Sequence, residues 1–244
     1  MAKFSVICTD FPWKFSDELS MSDIARGAEA NYKTISISDL KALKIKELAD
    51  PEGCLLALWV PSTLLSEGLE LMKSYGFTYK QSYIWVKTKK DPLKDIKDCF
   101  KSSLISEFKK NPIKSIKDLK NNISITETLI NFKSKLDKTL AFGMGHLFRQ
   151  THEICLIGIN SNKIYKKLEN RSQRSVCFAE NLGHSIKPDF LHESLDLMFP
   201  TAKKAELFAR RDRPNWVCVG NEVNTLFCPK GEDIRVSIQK MIDM

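Results

Sequence analysis

The sequence lacks the motifs that most often mark a nucleotide-binding or metal-binding enzyme. It has no G-x-G-x-x-G fingerprint and no P-loop, which argues against a dinucleotide-dependent dehydrogenase and against an NTPase. Its seven cysteines include no C-x-x-C pair, and its four histidines are dispersed along the chain. The sequence therefore predicts neither a metal site nor a disulfide framework, and we expect buried free thiols in a reducing compartment.

Long apolar runs are also missing, while positive charge is in excess. No stretch approaches the roughly 20 apolar residues of a membrane span, and the N-terminus does not match a signal peptide. The 38 Lys and Arg residues against 30 Asp and Glu give a formal net charge of +8. This excess suits a polyanionic partner but does not establish one, because many lysine-rich proteins bind no nucleic acid.

Strands alternate with helices along most of the chain. Apolar segments that read as strands lie at 4–10, 54–60, 79–87, 153–159, 174–180, 205–210 and 216–220. Helical patterns lie between them, at 38–48, at 63–75 and from about 188 to 198. This alternation predicts an α/β fold with a parallel, doubly wound sheet.

The helical patterns also predict caps and buried faces. Ser38 and Ser62 are placed to cap the first two helices. In the second helix we expect Leu65, Leu69 and Met72 to form the buried face. A last amphipathic segment, in which Ile234, Ile238 and Met241 recur at helical spacing, predicts a C-terminal helix that docks on the core.

Residues 88–141 differ from the rest of the chain. They are rich in lysine, contain no glycine and carry apolar residues every three or four positions. We expect two or three short helices, broken near Pro112 and near Asn121. We interpret the chain as a single domain, 1–244, that contains this helical insertion. A solvated insertion, a nucleic-acid-facing subdomain and a dimer-forming subdomain all remain open.

The first predicted strand ends in Asp10-Phe11-Pro12-Trp13. In doubly wound folds, ligands bind at the carboxyl ends of the strands. The Asp10 carboxylate and the Phe11 carbonyl can both accept hydrogen bonds from one NH2 group, and Pro12 biases Phe11 toward an extended backbone. Trp13 offers a face for a planar base. The tetrapeptide therefore suits an aromatic amine, whose nitrogen gains positive charge as it attacks an electrophile.

The tetrapeptide resembles the D-P-P-W signature of the MT-A70 family of S-adenosylmethionine-dependent adenine-N6 methyltransferases. Other segments resemble the family in order and spacing, namely "NYKTIS", "LLALWV", "YIWVKT", "GMGHLFRQTHEICLIG", "HSIKPDFLHESLDLMFP" and "KKAELFARRDRPNWVCVGNE". Together they cover nearly everything except 88–141. The resemblance implies a Rossmann-like class I methyltransferase sheet with permuted motif order, in which the catalytic strand precedes the cofactor-binding strand.

The resemblance also implies a role for each matching residue. The implied cofactor is S-adenosylmethionine. Catalysis falls to the tetrapeptide Asp10, Phe11, Pro12 and Trp13. The implied cofactor-binding residues are Asp10, Ser185, Lys187, Glu206, Phe208, Arg210, Asn221 and Glu222. The implied substrate-binding residues are Trp13, Tyr32, Lys87, His146 and Arg149.

Three positions depart from the family pattern. Phe11 replaces the first proline of D-P-P-W but keeps the backbone carbonyl and the following Pro12. Asp212 stands where the mRNA enzyme has a histidine, and Glu222 where it has a glutamine. We expect methyl transfer to survive these changes, with altered contacts to the cofactor.

The resemblance implies methyl transfer to the N6 amino group of adenine. A compact, lysine-rich chain without RNA-binding zinc modules is similar to bacterial or phage members, so we expect DNA as the substrate and a cytoplasmic location in a bacterium or a phage-infected host. The target adenine would be flipped or presented single-stranded. The alternatives are RNA as substrate and a non-catalytic nucleic-acid-binding subunit. A second copy or a paired subunit, contacted through the 88–141 insertion, is a further open alternative.

Overall fold

The computed structural model describes residues 3–14, 34–110, 139–143, 147–183, 186–225 and 228–243. The strands are β1 (Val6–Asp10), β2 (Leu55–Val60), β3 (Thr78–Thr88), β4 (His152–Ile159), β5 (Val176–Glu180), β6 (Lys204–Leu207) and β7 (Trp216–Val219). The helices are α1 (Ile37–Lys41), α2 (Ile45–Leu48), α3 (Leu65–Ser74), α4 (Pro92–Lys110), α5 (Phe190–Met198) and α6 (Ile234–Asp243). Short 3-10 turns lie at Ser62–Leu64 and Asn162–Lys166.

The seven strands form one mixed sheet in the order β5-β3-β4-β2-β1-β6-β7. Strand β1 pairs in parallel with β2 and with β6, and β6 pairs in parallel with β7. The predicted Rossmann-like α/β fold is confirmed. The expectation of an entirely parallel sheet is wrong, because β4 runs antiparallel to β2. An apolar run buried on both faces reads the same in either direction, so the sequence pattern does not encode this reversal.

Strand β1 lies where the chain order of the sheet reverses. Its neighbour on one side is β2, the next strand in the chain, and on the other side is β6, which comes almost 200 residues after it. The carboxyl ends of β1, β2, β6 and β7 all lie at one edge of the sheet. Such a switch point is where open α/β sheets bind their ligands.

The helix predicted over 38–48 is wrong, since two short helices, α1 and α2, take its place. Leu43 and Ile45 are both buried, and residues two apart face opposite sides of a continuous helix. A break between them lets both enter the core. The cap of α1 is Ser36 rather than Ser38, because the Asp39 backbone N–H donates to the Ser36 hydroxyl at 3.1 Å.

Helix α3 also differs from its predicted cap and buried face. Ser62 begins the 3-10 turn, and the N-cap of α3 makes no side-chain hydrogen bond. Met72 is buried as predicted, but Leu65 and Leu69 are more than a third exposed. Gly68 faces the sheet instead, where an added Cβ would lie 2.7 Å from the Val60 side chain. Because a buried glycine adds no apolar residue to the hydrophobic pattern, the pattern predicts the wrong buried face for α3.

The other helices follow their predictions more closely. Ile234, Ile238 and Met241 are buried in α6, which packs against α2 and β7 and confirms the C-terminal helix. Within the predicted insertion, α4 is one helix of 19 residues, and residues 111–138, including the breaks expected near Pro112 and Asn121, lie outside the described part of the chain. The six cysteines whose side chains are described are buried free thiols, as expected. Across the described helices, none combines the length and the apolar character needed to cross a bilayer.

The chain divides into two compact units with very different charge. The first unit consists of Met1–Ile84, Glu153–Ser175 and Asp189–Met244, and the second of Trp85–His152 and Val176–Pro188. The sequence of the first unit contains 22 basic and 22 acidic residues, whereas that of the second contains 16 basic and 8 acidic residues. The whole net charge of +8 therefore belongs to the second unit. The single domain with an 88–141 insertion stays a prediction.

Candidate active site

The backbone after β1 folds into a tight turn. The Trp13 backbone N–H donates to the Phe11 carbonyl at 2.9 Å. This bond spans the three residues of a γ-turn centred on Pro12, whose ring fixes φ close to the value that such a turn needs. The Ile35 backbone N–H donates to the Pro12 carbonyl at 2.9 Å and pins the turn to a neighbouring segment. A carbonyl oxygen has two acceptor positions, and the turn uses one of those on Phe11.

Asp10 is the last residue of β1 and lies beside Trp59, the register partner on β2. Its side chain is partly exposed, whereas the four β1 residues before it are buried. Burial raises the pKa of the Cys8 thiol well above its ordinary value, and the negative charges of Glu206 and Asp10 raise it further. Cys8 therefore stays neutral, and the carboxylates of the β1 end and of β6 lie close enough to influence the same thiol.

The Phe11 side chain is buried in an aromatic cluster. Its ring centroid lies 5.6 Å from that of Trp13 and 5.2 Å from that of Phe208, both in edge-to-face orientation, and 6.5 Å from that of Tyr75. The side chain is 3% exposed. Phe11 therefore joins the turn after β1 to the loop after β6, and this contact gives a physical role to the residue that breaks the family pattern.

Trp13 is also part of the core. Its indole N–H donates to the Trp59 carbonyl at 3.1 Å, and the side chain is 3% exposed. Stacking of a base on this ring requires the ring face to become accessible. The substrate role of Trp13 stays a prediction, while its packing role is visible directly.

Restoring the family tetrapeptide by Phe11→Pro should destabilise the fold. Proline cannot fill the space of the Phe11 ring between Trp13 and Phe208, and loss of a buried phenylalanine side chain costs about 3–5 kcal/mol. Urea unfolding followed by circular dichroism measures the loss. The matched control is Phe190→Ala on α5, where the ring is 49% exposed and we expect a change within about 0.5 kcal/mol. Equal stabilities of the two variants would contradict the anchoring role.

The loops that follow β6 and β7 are in close backbone contact. The Ala209 backbone N–H donates to the Val219 carbonyl at 2.9 Å. A Cβ added to Gly220 would lie 2.2 Å from the Ala209 carbonyl oxygen, so only glycine permits this approach. Phe208, between β6 and this contact, has φ of 60°, a conformation that is unusual for a bulky residue and that clusters at functional sites.

Polar side chains lie on these two loops, at the carboxyl ends of β6 and β7. Arg210 lies on the β6 loop and Glu222 on the β7 loop, and their charged groups are 3.6 Å apart. Asn221 and Glu222 are exposed. The two loops thus present a cation, an amide and a carboxylate beside the end of β1, a donor and acceptor set that fits a ribose, an adenine and a charged amino-acid moiety.

Glu206 on β6 is held in a buried ionic network. The Arg213 Nε donates to the Glu206 carboxylate at 2.6 Å, and both side chains are at least 85% buried. Arg213 also binds Asp189, which receives a further bond from Arg211. Burial alone would raise the pKa of Glu206, but the interactions with His192 and Arg213 outweigh it and lower that pKa below its ordinary value.

His192 on α5 lies beneath the same carboxylate. Its Nε2 is 3.3 Å from the Glu206 carboxylate, an ion-pair distance at which the ring N–H does not point along a hydrogen bond. Within the described part of the chain, neither ring nitrogen has a hydrogen-bond partner, although the residue is 4% exposed. The ring packs edge-to-face against Trp216 at 4.9 Å. His192 thus lies between the Glu206 carboxylate and the Trp216 ring.

Replacing Arg213 with Met should cost about 3 kcal/mol near neutral pH, because it leaves a buried carboxylate without its cation. The pKa of Glu206 is lower in the folded than in the unfolded chain. The ionised carboxylate therefore stabilises the fold fully above the unfolded pKa, about 4.3. This stabilisation is lost as the pH falls through the folded pKa. The difference in stability between the wild type and the variant should therefore shrink as the pH falls below about 4.3. Thermal unfolding at a series of pH values measures it.

The control for this prediction is Arg235→Met. Arg235 pairs with Asp233, but its side chain is 70% exposed. Exposed ion pairs contribute about 0–1 kcal/mol, so this variant should remain close to the wild type at every pH. A difference for Arg213→Met that is small, or that does not shrink in acid, would contradict the account of the Glu206 network.

The structure brings only some of the predicted site residues together. The tetrapeptide and the predicted residues of the β6 and β7 loops lie in the first unit, at or next to one edge of its strands. Lys87, Arg149 and Lys187 belong to the second unit. Tyr32, His146 and Ser185 lie outside the described residues. The roles of all these residues toward a ligand stay predictions.

The sequence alone did not identify several residues of this site. Arg213 belongs to a run, "RRDR", that reads as solvated or phosphate-binding, yet it is the buried partner of Glu206. His192 is one of four dispersed histidines, and nothing in the sequence near Gly220 points to a close backbone contact. The only signal for Gly220 is its place directly after an apolar strand and before Asn221. In the described residues, no three or more His, Cys, Asp or Glu side chains are grouped so as to hold a metal ion.

Comparison with known proteins identifies the family of the chain. The family model of MT-A70 matches residues 4–103 and 114–222. The N(6)-adenosine-methyltransferase MT-A70-like protein of Drosophila melanogaster is 25% identical over 92% of this chain and 28% of its own length. The N(6)-adenosine-methyltransferase catalytic subunit METTL3 of Homo sapiens is 24% identical over 92% of this chain and 29% of its own length.

A bacterial relative is matched over a much larger share of its own length. The type II methyltransferase M.MunI of Mycoplasma sp is 22% identical over 91% of this chain and 78% of its own length. The chain thus spans less than a third of the N(6)-adenosine relatives but most of the bacterial one. The family match covers the tetrapeptide, the β6 and β7 loops and all seven strands of the sheet. The chain therefore belongs to the MT-A70 family.

Proposed function

We propose that the chain transfers a methyl group to the N6 amino group of adenine in DNA. The observation that carries this proposal is the tetrapeptide turn at the end of the central strand β1, which sets an acid and a backbone carbonyl beside the loops after β6 and β7. MT-A70 methyltransferases are S-adenosylmethionine-dependent. This cofactor, when bound, supplies an electrophilic methyl group on a sulfonium centre.

The residues around the β6 and β7 loops suit that cofactor. Asn221 and Glu222 are exposed at the end of β7, where their side chains can bind ribose hydroxyls and the adenine edge. Arg210 can bind a carboxylate through its guanidinium. Lys187 suits the carboxylate of the methionine moiety on the strength of the family resemblance. Glu206 supports the β6 loop through Arg213, and a direct contact of Glu206 with the ligand stays a prediction.

The tetrapeptide can activate the amino group of adenine. An aryl amine is a weak nucleophile because its lone pair is conjugated with the ring. If the Asp10 carboxylate accepts one N–H and the Phe11 carbonyl the other, the nitrogen is favoured in its more tetrahedral form. The same two acceptors stabilise the positive charge that develops on the nitrogen during attack, and they require no reorganisation to do so. The extra proton can leave after the new bond has formed, so no separate base is needed.

Two observations bear on the choice between DNA and RNA. The bacterial type II methyltransferase is matched over 78% of its length, which supports a DNA substrate. The more similar relatives carry the name N(6)-adenosine-methyltransferase, which favours RNA as the second candidate. Pairing with another subunit through 88–141 stays a prediction.

The test compares DNA and RNA of the same sequence. Oligonucleotides of about 20 nucleotides, single-stranded and duplex, are incubated with the protein and methyl-labelled cofactor. We expect transfer to DNA to exceed transfer to RNA by at least about tenfold, since a site built to bind or reject a single hydroxyl discriminates strongly. The reverse ratio would replace DNA by RNA as the substrate. No transfer to any of the four by folded protein would contradict the enzymatic proposal.

A further inference from the structure

Two segments of the second unit, residues 139–143 and 147–151, are paired with each other and with the end of β3. We call them the aromatic arm. Gly143 and Gln150 exchange two backbone hydrogen bonds, of 2.8 and 3.1 Å. The Ala141 N–H donates to the Lys87 carbonyl at 2.9 Å, and the Lys87 N–H donates to the Thr151 carbonyl at 2.8 Å. The arm is therefore fixed to the sheet by backbone hydrogen bonds.

Three large side chains of the arm are apolar and face solvent. Leu147 is 92% exposed, Phe148 is 86% exposed and Phe142 is 57% exposed. Isolated apolar residues are common on protein surfaces, but three large ones on one short paired element indicate a binding surface. The Arg149 guanidinium lies 6.0 Å from the centroid of the Phe142 ring, which places a cation next to an exposed aromatic face.

Several lysines lie next to the base of the arm. Lys87, which bonds to both sides of the arm, lies with its ammonium group 5.2 Å from the Trp85 ring. The Lys89 backbone N–H donates to the Thr139 carbonyl at the base of the arm. Lys89 and Lys90 are exposed and line one open depression with Lys94, and Asp91 and Asp95 line the same depression. These cations belong to the unit that holds the whole net charge of the chain.

We propose that the aromatic arm is a docking platform for a single-stranded polynucleotide. Phe148 and Phe142 would stack against unpaired bases, and Arg149 and the neighbouring lysines would bind the phosphates. Exposed rings interleaved with cations are how proteins hold single strands with little sequence preference. A duplex keeps its bases stacked on each other and cannot use the rings. The proposal rests on the proposed function for the class of ligand.

The charge decides between a polynucleotide and a protein partner. Protein–protein contact patches are depleted in lysine, whereas the arm is joined by its backbone hydrogen bonds to Lys87 and Lys89. The sequence of the unit that carries the arm holds the excess of eight positive charges, which suits a polyanionic ligand. Association with a second copy through the arm is an outcome that the test below detects.

The test measures binding of fluorescein-labelled oligo(dT) of 15 nucleotides to the full chain by anisotropy, without cofactor. This probe has no adenine, so its binding does not depend on methyl transfer. We expect Phe148→Ala to weaken binding on the order of tenfold and to leave the dependence on salt unchanged. Arg149→Gln should reduce the slope of log affinity against log salt by about 0.7, the value for one phosphate contact on a single strand.

Tyr165→Ala is the matched control, because Tyr165 is an aromatic residue that is 44% exposed on the neutral first unit. It should bind oligo(dT) as the wild type does. Unlabelled single strands should compete better than a duplex of equal length. Wild-type affinity and salt slope in the two arm variants, or equal competition by the duplex, would overturn the proposal. A dimer in sedimentation velocity that Phe148→Ala dissociates, with oligo(dT) affinity unchanged, would overturn it in favour of self-association.

Methyl transfer to adenine is measured separately on the same variants. Loss of oligo(dT) binding in Phe148→Ala together with an absence of methyl transfer in the wild type would leave the platform standing and remove the enzymatic proposal. Normal methyl transfer with unchanged oligo(dT) binding in both variants would support the enzymatic proposal and overturn the docking platform. Thermal unfolding checks that the variants are folded, and we expect little change because Phe148 is 86% exposed.

Discussion

The Asp10→Asn variant should lose methyl transfer by at least about 100-fold, the usual result of removing one preorganised electrostatic contact to the reacting group. Asparagine keeps the size of the side chain at the end of β1 but removes its negative charge. Its NH2 group is a donor and, when turned toward the substrate, opposes the N–H groups that the carboxylate would accept. Steady-state kinetics with labelled cofactor measure the loss.

The stability and cofactor affinity of this variant distinguish chemistry from damage. Asp10 is partly exposed, so we expect the melting temperature to remain near that of the wild type. Isothermal titration with S-adenosylmethionine shows whether the loss lies in kcat or in cofactor binding. Asp243→Asn, a change of the same kind at an exposed position of α6, is the control and should be fully active. Asp10→Asn activity equal to that of the wild type would contradict the catalytic role.

The Gly220→Ala variant should lose both stability and cofactor affinity. The added Cβ would lie 2.2 Å from the oxygen and 2.6 Å from the nitrogen of Ala209, which are backbone atoms that cannot rotate away. The clash is relieved only if the loop after β6 moves, and this loop includes Phe208, whose φ of 60° is already strained. Overpacking of this kind costs about 1–3 kcal/mol. We expect cofactor affinity to fall at least about tenfold, or 1.4 kcal/mol, because the two loops that would hold it separate.

The Gly53→Ala variant distinguishes the loss of stability from the loss of cofactor affinity. An added Cβ there would lie 2.4 Å from the Ile164 backbone nitrogen, and Gly53 has φ of 131°. Gly53 precedes β2 and thus lies at the edge of the sheet away from the ligand. The variant should be destabilised at least as much as Gly220→Ala while keeping its cofactor affinity. Equal affinity in Gly220→Ala and in the wild type would remove the β6–β7 loops from the proposed cofactor site.

The place of the tetrapeptide at the end of a buried strand could be predicted from the sequence because the signals are local. Asp10-Phe11-Pro12-Trp13 follows an apolar run, and the end of a buried strand in an α/β fold is where ligands bind. The direction of β4 could not be predicted, since a buried apolar run has no polarity. The side-chain position of Phe11 could not be predicted either. Its partners Tyr75 and Phe208 are far away in the sequence and meet it only in the folded chain.

The ionic network and the uneven charge of the two units show a second limit of prediction from the sequence. Arg213 is an arginine in a run of charges, and its burial follows from the positions of Glu206 and Asp189 on either side. The net charge of +8 is visible in the composition, but its confinement to one unit requires knowing which segments pack together. Composition is therefore compatible with a polyanionic partner, and the division of the fold shows which unit carries the excess charge.

The most direct test of the central claim identifies the product. The protein is incubated with S-adenosylmethionine that carries a deuterated methyl group and with single-stranded DNA, and the DNA is digested to nucleosides for mass spectrometry. The account predicts deuterated N6-methyldeoxyadenosine with the wild type and essentially none with Asp10→Asn. A methyl group on another base or another atom, or no methylated nucleoside in DNA or in a parallel RNA sample, would contradict it.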